Sequence, residues 1–122
     1  MTSHSDRIVT IAERIRQLMT NHVGPSNPIT KDQICDELII RHPELKKVNK
    51  GEFSRAIKYL RSIGIHIITG ENHLLGFFWA ETQEQVDEYG RRRLSSIYNE
   101  ANEVKKFMAT ALRLPGPQGS FL

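Results

Sequence analysis

Asn49-Lys50-Gly51-Glu52-Phe53-Ser54-Arg55-Ala56-Ile57-Lys58-Tyr59-Leu60-Arg61-Ser62-Ile63-Gly64 is the stretch from which the rest of the chain can be read. Phe53, Ala56, Ile57 and Leu60 recur at the three- and four-residue spacing of one buried helical face. Asn49 with Glu52 three residues on forms a capping pair, and Gly64 stands where a left-handed residue closes a helix. The opposite face carries Lys50, Ser54, Arg55, Lys58 and Arg61, with Tyr59 at its margin. Residues 50–69 hold four Lys or Arg against Glu52 alone, a surplus equal to the +3 of the whole chain. Charge concentrated on one short helix points to a phosphate-bearing partner more than to a uniformly solvated surface.

Upstream of this helix the pattern gives two more. Ile8, Ile11, Ala12, Ile15, Leu18 and Met19 form one face of a helix over residues 6–20, which Ser5 or Asp6 can cap. Residues 21–28 are turn chemistry, with Pro25 and Pro28 barring helix. Ile29 has room for a bridge-length strand. Thr30 and Gln33 form a capping box that opens a short helix with Ile34, Leu38, Cys35 and Ile39 inward, ending before Pro43. Pro43 to Val48 is a loop of about one turn.

Downstream the period becomes extended. Ile65-His66-Ile67-Ile68-Thr69 is a β-branched strand, Gly70 to His73 a turn, and Leu74 to Trp79 the return strand of a hairpin. Thr82 with Gln85 opens a long helix over 83–112. Its apolar stripe includes Leu94, Ile97, Ala101, Val104 and Met108, and from Ile97 the spacing alternates four and three, as in a coiled-coil seam. Residues 114–122 hold Pro115, Gly116, Pro117 and Gly119 and read as a flexible tail. The fold class is therefore mainly α with a small β-hairpin, α+β. The expected division is a compact domain over 1–80, a dimerisation helix over 81–112 and a tail over 113–122.

Composition excludes several classes. At 122 residues with 39% hydrophobic and 25% charged side chains, the chain suits one compact domain with an appendage. No apolar run approaches the ~20 residues of a membrane span, and residues 1–6 are polar, unlike a signal peptide. One cysteine, Cys35, permits no internal disulfide and reads as a small buried residue. His66 and His73, without a carboxylate or thiolate beside them, do not make a metal site. No phosphate loop, carboxylate pair or nucleophile motif is present, so neither an enzyme nor a cofactor is expected. Arg91-Arg92-Arg93 is expected to be solvated and paired with Asp87 and Glu88 one turn earlier. A cytoplasmic protein is the simplest expectation, in a bacterium or a phage-infected host.

The order helix, bridge strand, helix, basic helix, hairpin, long helix resembles the winged helix-turn-helix family over residues 6–80. The run Gly76-Phe77-Phe78-Trp79-Ala80-Glu81-Thr82-Gln83-Glu84 and the helix after it also resemble small winged-helix proteins of bacteriophages and prophages. The resemblance implies a sequence-specific double-stranded DNA-binding protein, a transcriptional regulator, with the helix at 50–62 in the major groove. Lys50, Ser54 and Arg55 would meet base edges, Arg55 by two-armed bonding to guanine. Lys58, Tyr59 and Arg61 would meet phosphate, and Thr30 and Lys31 would hold a phosphate at free amides. The hairpin tip would be the wing. It carries Glu71, Asn72 and His73 where such wings usually show Arg or Lys, a departure from the family pattern that leaves wing–DNA contact open; Asn72 and His73 could still donate to phosphate or sugar.

Two linked modules add their binding free energies, so a homodimer through Leu94, Ile97, Ala101, Val104 and Met108 is expected. Two alternatives stand beside the regulator. One is a replication-origin binding protein of a phage. The other is a winged-helix module that binds a protein through the aromatic strand 77–79 and the long helix. Phe77, Phe78 and Trp79 are expected chiefly to cover the first and last helices.

Overall fold

The computed structural model describes residues 4–70 and 76–110. It is mostly helical, 69%, with one two-stranded antiparallel sheet and a long C-terminal helix. The elements run α1 (His4–Met19), α2 (Lys31–Arg41), a 3-10 turn (Pro43–Leu45), α3 (Lys50–Ser62), β1 (Ile67–Thr69), β2 (Phe77–Trp79) and α4 (Gln83–Thr110). This is the order expected from the sequence. The hairpin tip, with Asn72 and His73, and the tail lie outside the described residues. Two compact units meet within the first turn of α4, after Val86, six residues beyond the boundary expected at 80.

The core of the first unit follows from the periodicity of α1 and α3. Ile8, Ile11, Ala12, Ile15, Leu18 and Met19 of α1 are all buried, as are Phe53, Ala56, Ile57 and Leu60 of α3. α1 packs mainly on α3, and Ile34 and Leu38 of α2 close a third side. Burying ten such side chains is what holds these short helices, since none would persist alone in water.

Both caps on α3 form as the sequence suggests. Asn49 Oδ1 accepts from Glu52 N at 2.8 Å, and Glu52 Oε1 accepts from Asn49 N at 3.1 Å. At the other end Gly64 takes φ +89°; its N–H donates to Arg61 O at 3.2 Å, and Ile65 N–H donates to Leu60 O at 2.9 Å. These two bonds make a Schellman closure. They also correct the expected strand start: Ile65 is engaged in the helix cap, so β1 begins at Ile67.

In the sheet Ile67 pairs with Trp79, Ile68 with Phe78 and Thr69 with Phe77. Ile29 adds an antiparallel bridge to Phe77, as expected, and Val23 adds a parallel bridge to Trp79 that the sequence did not suggest. Gly76 makes the first of these possible. It has φ +78°, and a Cβ there would stand 2.5 Å from Ile29 O. Phe77 N–H then reaches Ile29 O at 2.7 Å.

Candidate nucleic-acid interface

α3 has an exposed face and a buried one. Lys50, Gly51, Ser54, Arg55, Lys58 and Ser62 are exposed, and Phe53, Ala56, Ile57 and Leu60 are buried. The one acidic residue of the helix, Glu52, is only 7% exposed. The solvent face of α3 therefore presents Lys50, Arg55 and Lys58 with no carboxylate among them. Among the described residues, none of these three cations has an acidic partner within salt-bridge distance. The Arg55 guanidinium lies back across the first turn, with both terminal nitrogens 3.5 Å from where a Cβ of Gly51 would be. The glycine leaves it room.

Glu52 is held inward by Arg7. Arg7 Nε donates to Glu52 Oε2 at 2.7 Å, and its Nη2 donates to Leu45 O at 3.0 Å and Lys47 O at 2.8 Å. One guanidinium thus ties α1 to the cap of α3 and to the turn before it. The carboxylate beside it raises the pKa of Arg7, more than partial burial lowers it. The turn it grips carries Lys46 and Lys47, both exposed and without an acidic partner among the described residues. Along the chain these two lysines precede the cap and the cations of α3. Sequence reading missed them because residues 31–49 balance in charge and the loop shows no periodicity. Lys46 adopts φ +63°, a backbone position rare for a side-chain-bearing residue.

The other expected DNA contacts fare unevenly. Arg61 turns to β1: its Nε donates to Ile67 O at 2.7 Å and its Nη2 to Thr69 Oγ1 at 3.2 Å. Its cation joins α3 to the sheet and does not stand with the other three. Tyr59 is half-buried and packs against the core. Thr30 Oγ1 accepts from Gln33 N at 3.2 Å, and Gln33 Oε1 accepts from Thr30 N at 2.9 Å, so both polar groups of Thr30 serve the cap. Anion binding at α2 is left to the first-turn amides of Lys31 and Asp32, with the Asp32 carboxylate, exposed, set against it. Asn72 and His73 lie outside the described residues.

The aromatic strand is largely covered. Phe78 is buried, Phe77 stands edge-on to Phe53 with ring centres 5.4 Å apart, and Trp79 is half-buried against the core. Little of this strand remains for a partner. In the second unit no residue of α4 is buried. Leu94, Ile97, Val104 and Met108 are 68%, 54%, 51% and 67% exposed, and Ala101 is exposed too. Arg92 pairs with Glu88 at 3.6 Å and lies over the Tyr89 ring, as the one-turn spacing suggested. Among the described residues no three metal-ligating side chains gather, and no helix is long and apolar enough to cross a membrane. Comparison with known protein families, characterised proteins and solved structures finds none that this chain matches.

Proposed function

We propose that this chain is a winged helix-turn-helix protein that binds double-stranded DNA in a sequence-dependent way, with α3 in the major groove. The observation that carries this is the exposed face of α3: three cations, two serines and no acid, on a helix backed by the core. A helix of this width fits the major groove, and the face it offers would be attracted to phosphate whatever the sequence. Arg55 is the base-reading residue and Lys58 a phosphate contact; Lys46, Lys47 and Lys50 add phosphate contacts at the N-terminal side. The exposed stripe of α4 supports the second part of the reading, self-association into a homodimer. Regulation of transcription from a two-fold site is the role that follows, in the cytoplasm and with no catalytic step. Binding at a replication origin would use the same contacts at a different locus.

The test is fluorescence anisotropy with random-sequence duplex DNA at about 50 mM salt, where phosphate contacts dominate. Arg55→Ala with Lys58→Ala is expected to weaken binding at least ten-fold, with the fold unchanged by circular dichroism. Absence of binding by the native chain, or equal binding by the double variant, rejects the proposal. Selection from a random DNA pool is then expected to return a palindrome.

A further inference from the structure

We infer that α4 pairs with the α4 of a second copy in parallel and in register, with Glu100 of each helix meeting Lys105 of the other. The inference rests on the self-association proposed above and adds its direction. Leu94, Ala101 and Met108 occupy one line of the seam, the a positions, and Ile97 and Val104 the other, the d positions. The flanking positions are then fixed. Arg93, Glu100 and Phe107 lie on one side of the seam, and Arg91, Tyr98 and Lys105 on the other.

In a parallel pair each residue on the first side faces the partner residue five positions further on. Glu100 then meets Lys105, an opposite charge, and Arg93 meets the ring of Tyr98, a cation over an aromatic face. Each contact occurs twice by symmetry. An antiparallel pair joins like sides instead. With the seams fully overlapped it sets Glu100 against Phe107, and with one heptad less overlap it sets Glu100 against its own copy and Arg91 against Lys105. The fully overlapped antiparallel pair sets Lys105 on the Tyr98 ring but leaves Glu100 on Phe107; only the parallel arrangement gives Glu100 an opposite charge. Among the described residues neither Glu100 nor Lys105 has an ion-pair partner within its own chain, and Tyr98 and Phe107 are 67% and 71% exposed. The a positions hold Leu94, Ala101 and Met108; the β-branched Ile97 and Val104 at d favour more than two strands, and the same flanking pairs serve either number.

The experiment uses the full chain carrying Cys35→Ser, to which Ile97→Cys or Met108→Cys is added, under a glutathione redox buffer. In the parallel arrangement each variant is expected to form a disulfide-linked dimer with itself. A link that forms only when the two variants are mixed, one bearing a size tag, overturns the direction and leaves self-association standing. No link in any case, together with a monomer mass by light scattering of the native chain, overturns both. DNA binding by anisotropy is read separately: binding by a chain that stays monomeric leaves the assignment of α3 standing while self-association fails. As a second arm, Glu100→Lys is expected to weaken self-association about ten-fold, and Lys105→Glu added to it to restore it. Indifference to both changes overturns the parallel pairing.

Discussion

Replacing Arg7 with methionine removes a cation that three different segments share, and the structure sets the size of the loss. Methionine keeps most of the side-chain length and favours helix, so α1 itself is little affected. Glu52 keeps its bond from Asn49 N at 3.1 Å but loses the Arg7 Nε at 2.7 Å, and its side chain is 10% exposed. Leu45 O and Lys47 O each lose a charged donor. Removing one partner of a wholly buried ion pair costs about 3–5 kcal/mol, because the other charge is stranded. Arg7 is itself 30% exposed, so water can reach part of the gap. The expected loss is about 2–3 kcal/mol, which in a unit of this size lowers Tm by roughly 10–20 °C. Urea and thermal unfolding of Arg7→Met, Glu52→Met and the double variant measure it. The cycle is expected to show that the double variant is less damaged than the sum of the singles, since no stranded charge remains. A loss below about 0.5 kcal/mol for Arg7→Met, or strict additivity, would refute the view that this pair fastens α1 to the cap of α3.

Gly76 and Gly64 share a positive φ but not their surroundings. Gly76→Ala drives a methyl into Ile29 and should cost well over 2 kcal/mol, whereas Gly64→Ala meets no atom within 4 Å and should cost about 1–2 kcal/mol; unfolding curves that rank them otherwise contradict the assigned close approach. Lys46→Ala with Lys47→Ala should reduce the slope of log affinity against log salt by about 1.8 if both lysines touch phosphate; a slope unchanged in a salt titration removes them from the interface. Burial raises the pKa of the Cys35 thiol above its ordinary 9.0, with a smaller opposing effect of Lys31. In the folded chain alkylation at pH 8 should therefore be slower than in urea. The linked effect on stability follows in sign: above pH 9 the unfolded thiol loses its proton before the folded one, so stability declines with rising pH, a decline that Cys35→Ser should abolish.

Local signals account for what the sequence made legible. The capping boxes at Thr30 and Asn49, the glycine stop at Gly64 and the bridge at Ile29 are each written within a few residues of where they act, and all form. What stayed hidden depends on distant partners. Glu52 counts as a surface carboxylate in any tally along the chain; its burial is decided by Arg7, 45 residues away. Arg61 reads as one more cation on a basic face until β1 folds back and offers it a carbonyl. The lysines at 46 and 47 gain their place from a carbonyl bond to α1, which no periodicity reports. Along α4 the spacing was legible, and Leu94, Ile97, Ala101, Val104 and Met108 are all exposed within one chain.

α3 is fastened from behind and at its two ends: by its buried face, by Glu52 under the cap, by Arg61 on β1 and by the closure at Gly64. The outward side chains of Lys50, Ser54, Arg55 and Lys58 hold nothing together, and exchanging them should change stability by no more than about 0.5 kcal/mol. The scaffold and the face it presents are thus separately editable. That face can change one residue at a time, each intermediate remaining a folded protein.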